Sequence, residues 1–171
     1  SWLKIAHDNN FWINITCFED LHDTIEYYKR FNGAPKIHLK FDTGMTRLGF
    51  DSNDAESLFN ILNQNKFLPV EGIYSHLSTA DEGDLTFSFK QLNKFNEIVE
   101  SGKRSGLNFK YIHCSNSGAI LNLPKSYFNT VRVGMLLYGV APSSEVKVNQ
   151  SYLPVMSFCG PVINVRKVPA N

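Results

Sequence analysis

Lys36–Phe50, KIHLKFDTGMTRLGF, is the stretch on which the reading of this chain turns. Ile37, Leu39 and Phe41 alternate with His38, Lys40 and Asp42. Alternation with a period of two marks a strand that has one apolar and one polar face. The strand runs straight into Thr43-Gly44, then Arg47 and Gly49. Two arrangements give a strand such a face. An edge strand turns it to solvent. A barrel strand packs its apolar face on outer helices, and its polar face leads to a site at the carboxyl end.

The flanking segments alternate in type. Before this strand, Phe11–Cys17 is rich in strand formers, and a helix follows with Phe18, Leu21, Ile25 and Tyr28 on one face, ending near Asn32-Gly33. After it, Ser52 or Asp54 caps a helix with the stripe Ala55, Leu58, Ile61 and Leu62. Leu68–His76 is a strand that ends in the polar loop SHLSTADEGD, where Asp81, Glu82 and Asp84 read as solvated. Asp84 opens a longer helix with Leu85, Phe89, Leu92, Phe95 and Val99 in register, and Gly102 and Gly106 close it. A strand over Phe109–Cys114, a short helix over Gly118–Leu123 and a strand over Asn129–Gly134 complete the series. Residues 1–10 carry Trp2, Leu3 and Ile5 without a helix cap before them.

Regular alternation predicts parallel strands joined by right-handed crossovers. The strands end in polar residues: Asp42 to Arg47, His76, Asn116-Ser117 and Arg132. Brought to one rim, they form a site. From about Ser144 the texture changes. SSEVKVNQSYLP is a polar link, and PVMSFCGPVINVRKV alternates like antiparallel strand, the start of a β-rich domain that a lone strand cannot complete. Five such strands do not close a (β/α)₈ barrel of roughly 250 residues. The alternatives are an open doubly wound sheet or a barrel with parts on either side of these residues. The uncapped start and the abrupt β segment favour the second.

Composition narrows the function. A length of 171 residues supports a sizeable core. A net charge of +1, with no basic cluster, argues against a nucleic-acid or anionic membrane surface. There is no apolar run of membrane-spanning length and no signal-peptide pattern. The 3 cysteines, Cys17, Cys114 and Cys159, are far apart, form no C-x-x-C pair and read as thiols in a reducing compartment, so the expected location is cytoplasmic.

With KFDTGMTRLGF at 40–50, GIYSHLSTAD at 72–81, HCSNSGA at 113–119 and FNTVRVGMLLYGVAPS at 128–143, the chain resembles the alanine racemases, fold-type III enzymes that use pyridoxal 5'-phosphate. These motifs stand in the family's order, each at an expected strand end. The resemblance implies an α/β fold. Residues 1–144 would be the C-terminal part of a (β/α)₈ barrel, about strands four to eight, and residues 145–171 the link and first strand of a truncated β-rich C-terminal domain. It also implies a homodimer that interconverts L-alanine and D-alanine and supplies D-alanine for peptidoglycan. The family's cofactor lysine and its second base, a tyrosine, match nothing here; Tyr138 lies in a different motif. Both proton-transfer residues are therefore expected outside this chain.

The resemblance assigns the remaining roles. Arg132, in V-R-x-G, faces the cofactor's pyridine nitrogen, and His76 hydrogen-bonds that arginine. Ser117, Gly134 and Met135 hold the phosphate, with Asn116 positioning the turn. Arg47 lies at the phenolic oxygen and the substrate carboxylate. Lys40 matches a lysine that some members carry as a carbamate, which requires an uncharged amine and so a lowered pKa. Taken without the resemblance, Ser, Asn and Gly are ordinary turn residues, and Arg132 fits a structural ion pair. Other readings include a metal-dependent barrel hydrolase using His38, His76, His113 and Asp42, although the chain has no H-x-H or H-E-x-x-H cluster. Further readings are a non-catalytic pyridoxal phosphate-binding barrel, racemases for serine or broader substrates, and decarboxylases with a carboxylate in place of Arg132.

Overall fold

The computed structural model describes residues 1–146, 148 and 152–169. Helix α1 (Trp2–Asp8) precedes β1 (Trp12–Ile15), α2 (Phe18–Phe31), β2 (Lys36–Lys40), α3 (Ala55–Gln64), β3 (Val70–Tyr74), α4 (Thr86–Arg104), β4 (Tyr111–His113) and α5 (Ser117–Asn122). The helix ends follow local chemistry. Asn32 takes a left-handed conformation to end α2. Asp51, rather than Ser52 or Asp54, starts the turn into α3: its carboxylate accepts the Asn53 N–H while Asp54 accepts the Asp51 N–H. The 1–10 segment, expected to carry no capped helix, forms α1 with no side-chain cap at Ser1.

The strands are parallel and lie in the order β1-β2-β3-β4. Each strand therefore lies beside the next one in sequence. A doubly wound sheet reverses direction at a switch point; this sheet winds one way only. One face carries Ile13, Ile15, Ile37, Leu39 and Ile73, which join Leu21, Ile25, Leu58, Phe59, Leu92 and Phe95 of α2–α4 in a single core. Each fully buried aliphatic or aromatic side chain there stabilises the fold by about 1.5–3 kcal/mol. Gly102, expected to close α4, lies inside it, because a Cβ there would stand 2.7 Å from the Phe109 ring.

The other face is aromatic and cationic. Trp12 and His38 have ring centroids 5.1 Å apart, and Tyr74 stacks on His113 at 4.9 Å. His38 is in register with Gly72 of β3, and Gly72 with Tyr111 of β4. A Cβ on Gly72 would lie 2.8 Å from both His38 Nε2 and the Tyr111 carbonyl oxygen. The missing side chain lets a β2 imidazole reach across β3 toward β4.

The expected strand at 129–134 forms no ladder. The Asn129 amide takes the pairing positions on β4 instead: its Oδ1 accepts the Ile112 N–H at 2.8 Å and its Nδ2 donates to the Lys110 carbonyl at 2.9 Å. Beyond it, the Arg132 N–H donates to the Ser115 carbonyl at 3.0 Å. Over 152–169 no strand is present either, and side chains such as Phe158 (99% exposed) lie open. An extended segment without a neighbour has no ladder to make. The link expected from about Ser144, SSEVKVNQSYLP, lies partly outside the described residues.

Candidate active site

The carboxyl ends of β2, β3 and β4 carry the polar groups. After β2 the chain loops out and returns: the Asp42 N–H donates to the Phe50 carbonyl and the Phe50 N–H to the Lys40 carbonyl, each at 2.9 Å. Gly49, at φ +119°, makes that return. The Asp42 carboxylate accepts the N–H groups of Gly44 (2.8 Å) and Arg47 (3.1 Å). Burial opposes its charge, but these backbone donors prevail and hold its pKa below the usual range. After β3, the Ser75 hydroxyl donates to the Phe41 carbonyl at 2.9 Å, tying the two exits together.

Arg132 is the centre of the arrangement. Its Nη1 donates to His113 Nδ1 at 2.6 Å, and its Nη2 donates to the Ser75 carbonyl at 2.8 Å and to His76 Nδ1 at 3.2 Å. Its guanidinium also stands over the Tyr74 ring, 5.1 Å from the centroid. None of the ion pairs among the described residues involves Arg132. Burial lowers its pKa, but from so high a value that it stays protonated at neutral pH. Three N–H groups are committed, and a guanidinium has five.

The surrounding histidines are held neutral. Burial first, then the Arg132 charge, lowers His113 to about 3 and His76 to about 4. Both give their Nδ1 lone pairs to Arg132, so neither offers that nitrogen to a metal. Among the described residues no group of three His, Cys, Asp or Glu is arranged to hold one. Lys40 lies buried 5.2 Å over the Tyr74 ring, with Nζ donating to the Phe41 carbonyl. Burial, and then the charge of Arg132, lowers it to about 8.

A cleft of about 340 Å³ opens beside Arg132, lined among others by His76, Asn116, Ser117, Gly134 and Met135. Asn116 caps α5, with Oδ1 accepting the Ala119 N–H at 3.0 Å and Nδ2 donating to the Leu77 carbonyl at 2.8 Å. Its side chain thereby fixes Ser117 relative to the β3 exit. Ser117 Oγ accepts the N–H groups of Gly134 (3.0 Å) and Leu136 (3.4 Å). Both lone pairs of that hydroxyl are then in use, and its own proton is left to donate. A Cβ on Gly134 would meet only Ser117 Oγ, at 3.5 Å, so the protein itself leaves that space open.

The structure thus gathers Arg132, His76, Asn116, Ser117, Gly134 and Met135 at one cleft and sets Lys40 behind it. Arg47 is exposed on the 42–50 loop and does not line the cleft. His113, read in the sequence only as a possible metal ligand, makes the shortest contact to Arg132. The ring of Tyr74, beneath both Arg132 and Lys40, had no role assigned. Asp81, expected in a solvated loop, lines the cleft. Period two from His38 and Lys40 would have put Tyr74 and His113 on the same face, had β3 and β4 been aligned with β2.

A family profile, that of the alanine racemase N-terminal domain, matches residues 2–142. The chain belongs to the alanine racemase family. It is 42% identical to the alanine racemase of Carboxydothermus hydrogenoformans over 134 residues, which are 78% of this chain and 36% of that protein. With the enzyme of Clostridium novyi it shares 39% identity over 145 residues, 83% of this chain and 37% of that one. Among solved structures, alanine racemase from Clostridium difficile 630 aligns with a TM-score of 0.77 at 32% identity, covering 84% of this chain and 38% of its own. The Bacillus anthracis alanine racemase with bound L-Ala-P aligns at 0.79 and 30%, covering 89% and 40%. The chain therefore spans well under half the length of the relatives it matches.

Proposed function

We propose that these residues form the arginine and phosphate side of a pyridoxal 5'-phosphate site in an alanine racemase. The complete protein would interconvert L- and D-alanine as a cytoplasmic homodimer and feed D-alanine to peptidoglycan synthesis. On this reading residues 1–144 belong to the barrel, as about strands four to eight, and residues 145–171 lead into a β-rich domain. The one-way strand order and the matched region support the first assignment. Among the described residues no helix is long and apolar enough to cross a membrane.

The observation that carries the proposal is Arg132 itself: a permanently charged donor, fixed by two imidazole lone pairs and a carbonyl, with no carboxylate partner among the described residues and with N–H groups to spare beside the cleft. The cleft fits a phosphate. Ser117 has a free hydroxyl proton, and the space over Gly134 is one that a Cβ would fill. When bound, pyridoxal phosphate supplies an electron sink for charge left on the substrate Cα. Arg132, which cannot accept a proton, would keep the ring nitrogen facing it unprotonated, limit that sink and favour return of the proton to Cα. His76 supports Arg132. Lys40, at a pKa of about 8, has an appreciable uncharged fraction near neutral pH and could form a carbamate, an anion among the cations Arg132 and Arg47. Arg47 on its exposed loop would meet the substrate carboxylate. Among the described residues no lysine or tyrosine lines the cleft, which supports the reading that both proton-transfer bases come from elsewhere in the complete protein.

Arg132→Glu in the complete enzyme tests this. Racemisation should fall, and the share of turnovers lost to transamination should rise, because a carboxylate lets the ring nitrogen hold a proton. Both reactions are measured on the same folded, cofactor-loaded variant. A fall in activity with the ratio unchanged would remove Arg132 from the chemistry.

A further inference from the structure

His113 is not the end of the chain of contacts that leaves Arg132. Its Nε2 stands 3.0 Å from Nδ1 of His38, which lies on β2, two strands away from β4. The donors fix the direction of every bond. A guanidinium only donates, so His113 Nδ1 must carry a lone pair. A neutral His113 then holds its proton on Nε2 and donates it to His38 Nδ1. A neutral His38 must in turn carry its own proton on Nε2.

That last N–H is buried and finds no acceptor among the described residues. A buried donor left unmet is uncommon and needs a reason. Flipping the ring would put Cδ2, which has no lone pair, in the place of Nδ1 and lose the contact with His113, and the ring is held. It is stacked on Tyr111 at 5.7 Å and tilted against Trp12 at 5.1 Å, and it occupies the space left by the absent Cβ of Gly72. Three elements thus converge to present one lone pair to His113.

We infer that His38 is a positioning residue for Arg132, acting through His113: it accepts the His113 Nε2 proton and so locks the imidazole whose other nitrogen holds the guanidinium. The logic is that of a base oriented by a third group, here with a neutral imidazole as the orienter. The inference deepens the function proposed above and rests on it for its kinetic consequence, but the contact itself does not.

The test uses the complete protein with three variants. His38→Asn keeps an acceptor, Oδ1, near the place of Nδ1. His38→Gln has similar polarity but carries its amide one carbon further out, away from His113. His38→Leu has no acceptor. With histidine ring nitrogens labelled with ¹⁵N, the wild type and the Asn variant should show a protected, hydrogen-bonded His113 Nε2 proton at neutral pH, and the Leu and Gln variants should not. Turnover in alanine racemisation should fall about tenfold or more in Leu and Gln, with KM for alanine nearly unchanged and the transaminating share raised; Asn should restore turnover to within a few-fold of wild type. Absence of the protected proton in the wild type overturns the inference, whatever reaction the protein catalyses. So does a folded Gln variant with wild-type turnover and partition, or an Asn variant as impaired as Gln. A protein with the protected proton but no racemase activity would instead overturn the proposed function and leave the contact standing.

Discussion

At the scale of residues, Arg132 is held by groups whose charge state matters. His113 and His76 serve it only while neutral, because protonated Nδ1 atoms would point N–H at N–H. Their pKa values, about 3 and about 4, lie below the ordinary histidine value. Between those values and about 6.5, the unfolded chain binds protons that the folded one refuses. Stability is therefore full above about 6.5 and declines as pH falls toward 4 and then 3. Urea unfolding of the complete protein between pH 7.5 and 4.5 should show the midpoint falling with acid, less steeply in His76→Asn. A midpoint flat across that range would mean that the imidazoles are not held neutral.

At the scale of elements, the same alternation does two jobs. Ile37 and Leu39 bind β2 to the helices, while His38 and Lys40 build the polar layer on the other face. Gly72 is where that layer crosses β3. Gly72→Ala should destabilise the protein by about 1–3 kcal/mol, because the added carbon meets the Tyr111 carbonyl, which cannot move without breaking the sheet. Thermal melting checks this; an unchanged midpoint would mean that His38 does not lie over the strand.

The strands and helices around this layer were legible because their signals are local: the alternation at 36–42, and the 3.6-residue stripes of α2 and α3. Asp51 as the cap before α3 was legible in principle, as an acidic residue three positions before Asp54. The loss of a ladder at 129–134 was not legible, because Asn129 replaces backbone pairing with a side-chain amide and N-T-V-R-V still reads as strand. Arg132, His76, Asn116 and Ser117 were found through motifs and then seen to share a cleft. The role of His113 depends on which nitrogen faces which donor, and no spacing encodes that.

At the scale of the whole molecule, the parallel strands follow one another in one direction, so every strand end that carries a site residue meets the same rim. Among the described residues the lining of its cleft includes no lysine or tyrosine, and on the proposed reading both proton-transfer bases lie outside this chain. The 171-residue chain by itself is accordingly expected not to racemise alanine, and with Leu153, Met156, Phe158 and Ile163 open to solvent it should associate or precipitate. A coupled assay for D-alanine, with light scattering in parallel, checks both; activity from the chain alone would show that its own residues include the bases.

Arg132 reaches the site on a segment tied by the Asn129 amide, the Arg132 N–H bond to Ser115, the Gly134 N–H bond to Ser117 Oγ and the guanidinium contacts, and not by a strand ladder. Strand amides such as those of Ile37 and Leu39 can open only with the core. Without a ladder, the 129–134 stretch is expected to open through local fluctuations that leave the sheet intact. The site can therefore be lost well before the fold melts, and the temperature at which function fails need not be the temperature at which the protein unfolds.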